Sequence, residues 1–374
     1  AGALAGYTLL IGVAGLAAIA LRWDSRLARP SDAPMPAAAD SQRCWLLLWG
    51  VIVSLWIGHV VTSGLLRFPM DWDSLMYHLP MIVQWLHAGS LYAPDCAHWS
   101  FPGNNELIGL WMVAPFSGDF LISLINLPAA ILLAAAAVEL GRCIGLSPPM
   151  RHLAALAVVS HQVLVQHLIN QKNDLAVAGF FLAALSYGLR YLHGGRRPDL
   201  VLGGLSLGLL AGVKWFALGY AAVAWAVIVL VSATPPLPPF ARGGKGGWRT
   251  AGRVAVAWTL GALVCGGYWY VRNAVVTGSP FYPMGLTSAS DVAAQLYPVS
   301  WWTTTYLGNR SPELWPLTLA AITNRMGVCH LLAFLAMPLS AAWLIAAGLL
   351  GRKRKQTPSP LVGEGWGGGP PTGD

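Results

Sequence analysis

The chain has 374 residues, of which 56% are hydrophobic and only 10% are charged, and it contains 18 Trp. Long apolar runs recur along it, which excludes a soluble globular domain and indicates a helical membrane protein. The net charge of +8 does not indicate nucleic acid as a partner, because the basic residues are spread over short segments between apolar runs. The five Cys residues form no C-x-x-C pair and indicate neither a metal site nor a disulfide framework.

The apolar runs predict the membrane spans. A transmembrane helix needs about 20 apolar residues. The sequence therefore predicts an all-α, polytopic transmembrane bundle of about nine spans. The predicted spans are 2–21, 44–66, 119–140, 152–169, 174–192, 199–213, 215–232, 254–271 and 328–350.

The Lys and Arg residues predict the orientation of the chain. Most of the 23 fall in one alternating set of connecting segments, which the positive-inside rule assigns to the cytoplasm. The N-terminus and the two long segments 67–118 and 272–327 are then on the outer side, which is the periplasm for the inner (plasma) membrane of a bacterium. The outer side carries six basic residues, namely Arg67, Lys172, Lys214, Arg272, Arg310 and Arg325.

Two segments differ in composition from the rest. Residues 234–248 are rich in Pro and Gly and are predicted to form a low-complexity cytoplasmic insert. Residues 351–374 are basic at first and then rich in Pro and Gly, and they are predicted to form a disordered tail. The remaining residues 1–350 form the predicted transmembrane domain.

The segment Phe68–Pro80 follows the second predicted span directly and carries Asp71 and Asp73. Carboxylates at a membrane border are costly if they move inward, which suggests a function at the interface. Asp73 is a candidate catalytic base, and the alternative is that it caps the following helix. On an extended segment the two carboxylates would face one side, as metal ligands do, whereas on a helix they would point apart.

A helix is predicted from about Ser74 to Ala88, ended by Gly89, with Pro80 as a kink or a new start. Its apolar side chains lie at helical spacing, which is typical of a helix that lies flat on a bilayer surface. The stripe consists of Leu75, Leu79, Ile82, Val83 and Leu86.

Three further polar residues of the first outer segment are candidates for the site. Tyr77 lies one helical turn after Asp73, although interfacial anchoring is an alternative role for a tyrosine. His78 titrates near neutral pH, and its alternative is a structural role. Glu106 opens a short apolar helix, where it either faces the same cavity as Asp73 or stabilises the first turn.

The later outer segments add an acid and three bases. Asp174 begins a span and is interpreted as a helix cap, with Lys172 beside it as a partner. Lys214 interrupts an apolar run, where a cation needs a partner or an anionic ligand. Arg272 ends the eighth predicted span among aromatic residues, where it either reaches the lipid headgroups or clamps a phosphate together with Lys214. Glycines before Lys214 allow a helix or a lipid chain to approach closely, namely Gly204, Gly208 and Gly212.

These motifs resemble those of the C-type (GT-C) glycosyltransferases, in particular the bacterial relatives of the protein O-mannosyltransferases and of the aminoarabinose transferase of lipid A, a family 39-like group. The family motif Asp-Glu-x-x-Tyr is similar to Asp73-Ser-Leu-Met-Tyr77, with Ser74 in place of Glu. Three longer patterns of uncharacterised bacterial members correspond to Asp71–Pro80, Pro102–Glu106 and Arg272–Pro283. The resemblance covers roughly residues 44–350.

The resemblance implies a membrane glycosyltransferase that moves a sugar from a polyprenyl-phosphate donor to a glycan, lipid or protein acceptor on the outer face. It implies that Asp73 is the catalytic carboxylate, that Asp174 is a second acidic site residue, and that Lys214 and Arg272 bind phosphate. Asp71 is included with the acidic site residues. The predicted substrate-binding residues are Tyr77, His78, Glu106, Lys172, Lys214, Arg272 and Asn273.

Two questions stay open in the sequence. No cofactor is predicted, but the acidic pair leaves a divalent metal ion as an alternative. Two other functions also remain, namely a lipid or glycolipid transporter or flippase, and a non-catalytic membrane assembly protein. A transporter is expected to place its charges near mid-span, whereas here they lie at the outer ends of the spans.

Overall fold

A computed structural model of the chain describes residues 36–66, 71–96, 98–116, 118–233, 247–282 and 316, with side chains from residue 43 onward. All of the helices below lie in the first of the two compact units of the chain, residues 1–301. Within the described residues every regular element is a helix, which confirms the all-α class. Predicted spans 2–21 and 328–350, and the tail from residue 351, lie outside the described residues.

Ten α-helices follow one another along the chain. They are α1 (Pro36–His59), α2 (Leu79–Ala88), α3 (Asn104–Val113), α4 (Leu127–Cys143), α5 (Pro148–Val159), α6 (Gln162–His167), α7 (Asp174–Gly194), α8 (Arg197–Ala211), α9 (Trp215–Ala233) and α10 (Trp248–Thr277). A π-helical turn, Val60–Leu65, extends α1, and a second one, Ser74–His78, leads into α2. A 3-10 turn, Ile122–Leu124, precedes α4.

Five helical segments in the described residues are long and apolar enough to span a membrane, so the chain is a helical membrane protein. They overlap the predicted spans that begin at residues 44, 119, 174, 215 and 254. The five segments are Arg43–Leu65, Ile122–Cys143, Asp174–Gly194, Trp215–Ala233 and Trp248–Thr277. The last one is longer than predicted at both ends, and its first residue, Trp248, belongs to a helix and not to the predicted insert 234–248.

Two predicted spans differ from the helices observed. The predicted span 152–169 consists of α5 and α6, which are separated at Ser160 and His161. The His161 side chain caps α6 by accepting a hydrogen bond from the backbone N–H of Val163 at 3.2 Å, which stabilises the interruption. Helix α8 has 15 residues and a length of about 22 Å, shorter than the hydrocarbon core of about 30 Å.

The longer helices pack in a continuous series. Helix α4 contacts α5 and α7, α7 contacts α8, and α9 packs against α7, α8 and α10. The closest packing is between α8 and α10. A Cβ atom on Gly204 would lie 2.8 Å from the carbonyl oxygen of Ala257, and one on Gly208 would collide with the carbonyl oxygen of Gly261. The predicted close approach at these glycines is therefore made by another helix, whose backbone contacts theirs directly.

The segment Ser74–Ala88 is helical and ends at Gly89, whose φ of +60° is in the left-handed region, as the sequence predicted. Its buried face differs from the predicted apolar stripe. The buried residues are Ser74, His78, Met81, Ile82 and Trp85, each at most 2% exposed. In contrast, Leu75 and Val83 are 51% and 43% exposed.

Charged side chains occupy both ends of α7. At its C-terminal end, Arg190 bridges Glu139 at 3.3 Å and Asp199 at 3.1 Å. At its N-terminal end, Asp174 pairs with Lys214. The two groups are about 24 Å apart along the helix axis, so the bundle has two separate charged ends joined by an apolar middle.

Candidate functional site

The acidic segment before α2 is organised by Asp71. The Asp71 carboxylate accepts hydrogen bonds from the backbone N–H of Ser74 at 3.2 Å and from its hydroxyl at 3.1 Å. The Asp71 carbonyl oxygen also accepts a bond from the N–H of Leu75 at 3.1 Å. Asp73 has helical backbone angles, and its side chain makes no capping bond. The capping role considered for Asp73 was therefore wrong, since Asp71 caps this turn.

Lys172 brings the two aspartates together. Its ammonium nitrogen lies 3.0 Å from Asp71 Oδ1 and 3.2 Å from Asp73 Oδ2. The expectation that helical geometry would turn the carboxylates apart was wrong, because Asp71 lies before the first helical turn and Asp73 lies within it. Lys172 is also not the partner of Asp174, as the sequence suggested.

The contacts with Lys172 change the acidity of its partners. Burial acts to raise the pKa of Asp71, but the hydrogen bonds and positive charge of Lys172 and the bonds from Ser74 outweigh it, so the pKa lies below its ordinary value. Burial acts to lower the pKa of Lys172, but Asp71 and Asp73 outweigh it and raise that pKa. Lys172 and Asp71 are therefore both charged at neutral pH.

Two residues that the sequence analysis did not select hold this arrangement in place. Ser74 is fully buried, and its hydroxyl accepts a hydrogen bond from the backbone N–H of Gln171 at 3.1 Å while it donates to Asp71. The Asn126 side-chain nitrogen lies 2.7–2.9 Å from the carbonyl oxygens of His167, Asn170 and Lys172. The one signal in the sequence is an Asp followed by Ser three residues later, the spacing of a capped turn.

Asp174 forms the second half of the charged site. Its carboxylate pairs directly with the ammonium of Lys214, and its other oxygen lies 3.5 Å from His167 Nδ1. Burial lowers the pKa of His167, so this histidine is neutral at neutral pH. Asp174 occupies the first turn of α7, where Asn173 stands at the cap position, so the capping role predicted for Asp174 was wrong.

These residues form a single charged cluster. The electrostatic environment of His167 includes Asp174, Lys172, Asp71 and Lys214. The side chains of Asp73 and Asp174 are 41% and 45% exposed, so both carboxylates are open to a ligand. We call this group the charged cluster, and its members are Asp71, Asp73, His167, Lys172, Asp174 and Lys214.

A buried polar pair lies beneath this surface. His78 Nδ1 contacts Glu106 Oε1 directly, and both residues are 1% exposed. Glu106 is therefore in the protein interior and not on the exposed surface with Asp73. Tyr77 stacks on His78 with ring centroids 4.0 Å apart. Burial and the negative charges of Asp73 and Glu106 raise the pKa of Tyr77, so its phenol stays protonated.

Arg272 and Asn273 lie in a different group of contacts. The Arg272 guanidinium donates to the carbonyl oxygens of Leu91 at 3.2 Å and Phe101 at 3.4 Å, and to Asn273 Oδ1 at 3.0 Å. It also lies 5.5 Å and 5.0 Å from the ring centroids of Trp99 and Trp269.

This second group ties the first outer segment to α10. Asn273 donates to the carbonyl oxygen of Ser100 at 2.7 Å. Arg272 is only 7% exposed and lies within α10, which continues to Thr277, so the expectation that it ends the helix was wrong. Lys214 has Asp174 as its partner, and no contact between Lys214 and Arg272 is found among the described residues.

The charged cluster combines a half-exposed carboxylate, Asp73, with ammonium groups that can neutralise an anionic ligand. Within the part of the chain that the structure describes, no group of three or more His, Cys, Asp and Glu residues is arranged to hold a metal ion. Comparison of the chain with protein-family models, with curated proteins and with solved structures gave no match.

Proposed function

We propose that the protein is a membrane glycosyltransferase that moves a sugar from a polyprenyl-phosphate-linked donor to an acceptor hydroxyl on the outer face of the membrane. The observation that carries the proposal is the charged cluster. It combines two half-exposed carboxylates, Asp73 and Asp174, with the ammonium groups of Lys172 and Lys214 at one end of a bundle of membrane-spanning helices.

The proposed reaction is an inverting transfer. The acceptor oxygen attacks the anomeric carbon as the bond from that carbon to the phosphate oxygen breaks, and Asp73 takes the hydroxyl proton. The polyprenyl phosphate leaves with an added negative charge. Lys214 is the proposed group that stabilises this charge, because its ammonium is at the cluster surface beside the exposed Asp174.

The proposed location follows from the distribution of basic residues. We propose about nine spans in the inner membrane of a bacterium, with α2 flat on the outer surface and the charged cluster facing the periplasm. What supports the flat orientation is the exposure of Leu75, Met76 and Val83 on one side of the helical segment. What supports the topology is the presence of most basic residues at the opposite end of α7.

A transporter is less consistent with the same observations. The charged side chains of the cluster occur where helices begin or end, at the N-terminus of α7 and between α8 and α9. A transport path requires polar groups along the depth of the membrane, together with discontinuous helices at matching positions. An enzyme that works at the surface requires only one polar end.

The direct test uses the purified full chain in proteoliposomes with polyprenyl-phosphate sugars of several types. We expect release of free polyprenyl phosphate when an acceptor is present. The Asp73→Asn variant should fold and retain donor binding, but it should lose about a hundredfold or more in turnover, the scale of a general-base contribution. Equal turnover by the wild-type and Asp73→Asn proteins, or no turnover of any donor, contradicts the proposal.

A further inference from the structure

We propose that the ammonium group of Lys172 is the resident cation of the Asp71–Asp73 pair, and that it occupies the position that a divalent metal ion would take between the two carboxylates. Lys172 is then a positioning residue that orients both aspartates. The catalytic consequence, a transfer reaction that needs no metal ion at this pair, rests on the proposed function. The occupancy of the pair by lysine does not.

The first step of the argument is geometric. One nitrogen, Lys172 Nζ, lies 3.0 Å from an oxygen of Asp71 and 3.2 Å from an oxygen of Asp73. Two carboxylates that converge on one point present the oxygen donors that hard divalent cations prefer. In this protein that point is filled by a covalently attached cation.

The second step concerns the remaining oxygens. Asp71 Oδ2 already accepts two hydrogen bonds from Ser74, so Asp71 has only Oδ1 to offer to a cation. That oxygen is the one that contacts Lys172. A metal ion could therefore bind both aspartates only after the ammonium group had left.

The third step concerns the segment that carries the lysine. Its backbone is fixed on both sides of the side chain, because the N–H of Gln171 donates to the buried Ser74 hydroxyl and the carbonyl oxygen of Lys172 lies 2.7 Å from the Asn126 side-chain nitrogen. Ser74 thus links the aspartate turn and the lysine segment. This connection pre-organises the cation over the carboxylates, which lowers the entropic cost of the contact.

The fourth step concerns charge. The Lys172 ammonium partly neutralises the two negative charges of the pair, and Lys214 neutralises Asp174 beside it. A divalent cation that entered with both lysines in place would meet two positive groups at short range. Removal of Lys172 alone should instead leave two adjacent carboxylates without a counter-ion.

The experiment measures binding of Mn²⁺ alone, by electron paramagnetic resonance, to the purified full chain in detergent. The wild-type protein should bind no Mn²⁺ at the aspartate pair. Lys172→Met should bind one Mn²⁺ at least about tenfold more tightly, because it lacks a competing cation with two partly exposed ion pairs. Lys172→Gln is measured in parallel, since it keeps a polar group if the apolar substitution reduces folding.

Three controls assign the gained ion to the pair. The double variant Asp71→Asn with Lys172→Met should lose the binding, because one of the two carboxylates is gone. Lys172→Arg keeps a cation at the position and should not gain binding. Lys214→Met, the matched control at the neighbouring ion pair, removes a lysine from a single carboxylate and should not gain binding either.

Two results would overturn the proposal. If wild-type protein binds Mn²⁺ and Asp71→Asn abolishes that binding, a metal displaces the lysine and Lys172 is not the resident cation. If neither Lys172→Met nor Lys172→Gln gains binding, the two carboxylates do not form a cation site. Neither result depends on sugar transfer, so the outcome is separate from the test of the proposed function.

Discussion

The side chain of Asp71 accepts two hydrogen bonds from Ser74, one from its backbone N–H at 3.2 Å and one from its hydroxyl at 3.1 Å. Asp73, two residues later, makes no such bonds and is more exposed. The two aspartates therefore have different physical roles, although both contact the same lysine. Asp71 stabilises the local structure, and Asp73 is the one available to a substrate.

This difference predicts opposite effects of two alanine substitutions. Asp71→Ala should lower the free energy of unfolding by about 1 kcal/mol, because it removes a helix cap. Asp73→Ala should lower it by less, because it removes only a partly exposed ion pair. Thermal unfolding of the purified variants measures both effects.

The control for this prediction is Asp71→Asn. Asparagine caps a helix about as well as aspartate, so this variant should recover most of the stability that Asp71→Ala loses. Transfer activity should show the reverse order, with the larger loss for substitutions of Asp73. A larger stability loss in Asp73→Ala than in Asp71→Ala would show that the assignment of the cap is wrong.

The lowered pKa of Asp71 predicts a dependence of stability on pH. Its folded pKa lies below the ordinary value of 3.8, so the contribution of the ionised group is present above about pH 4 and is lost as the pH falls through the folded pKa. Asp71→Asn is a suitable reference, because it keeps the cap and does not titrate.

We expect the wild-type protein to be more stable than Asp71→Asn at pH 7 and pH 5, by up to about 1 kcal/mol for a partly exposed ion pair. The difference in midpoint temperature should decrease below about pH 4, while the other titrating groups are common to both proteins. A difference that stays constant from pH 7 to pH 3 would mean that Asp71 is not paired as an anion.

The sequence allowed the membrane-spanning helices to be predicted well, because length and hydropathy are properties of one segment. The boundaries of Asp174–Gly194 and Trp215–Ala233 agree with the predicted spans to within two residues. The interruption at Ser160 and His161 was not predicted, because it depends on a side-chain cap inside an apolar run.

The candidate site was predictable in its residue types but not in its pairings. The expectation that Asp73, Asp174 and Lys214 lie together agrees with the charged cluster. The contact of Lys172 with Asp71 depends on how the segment before α7 packs against the one before α2, which no local pattern encodes. The burial of Arg272 was missed for the same reason, since its partners are more than 170 residues away in the chain.

Arg272 is predicted to stabilise the outer segment. Arg272→Lys keeps the charge but cannot reproduce the bonds to Leu91, Phe101 and Asn273, so it should lower the free energy of unfolding by about 2 kcal/mol. Arg249→Lys is the matched control, because Arg249 is exposed on the same helix. If both variants unfold at the same temperature, Arg272 does not hold the segment and its guanidinium is available for the predicted phosphate.

The backbone contact between α8 and α10 predicts that Gly208 tolerates no side chain. A Cβ atom there would collide with the carbonyl oxygen of Gly261 and lie 2.8 Å from the Cβ of Cys265, and neither backbone can move without separating the helices. Gly208→Ala should therefore destabilise the protein by about 2 kcal/mol or more, the cost of overpacking a close contact.

Gly252→Ala is the control for this last prediction. Gly252 lies on α10 with nothing within 4 Å of its Cβ position, so alanine should leave stability unchanged or raise it by up to about 1 kcal/mol through helix propensity. Propensity acts in the same direction at both positions, and only the helix contact differs between them. Thermal unfolding in detergent compares the two variants, and equal stability would mean that α8 and α10 are further apart than their glycines indicate.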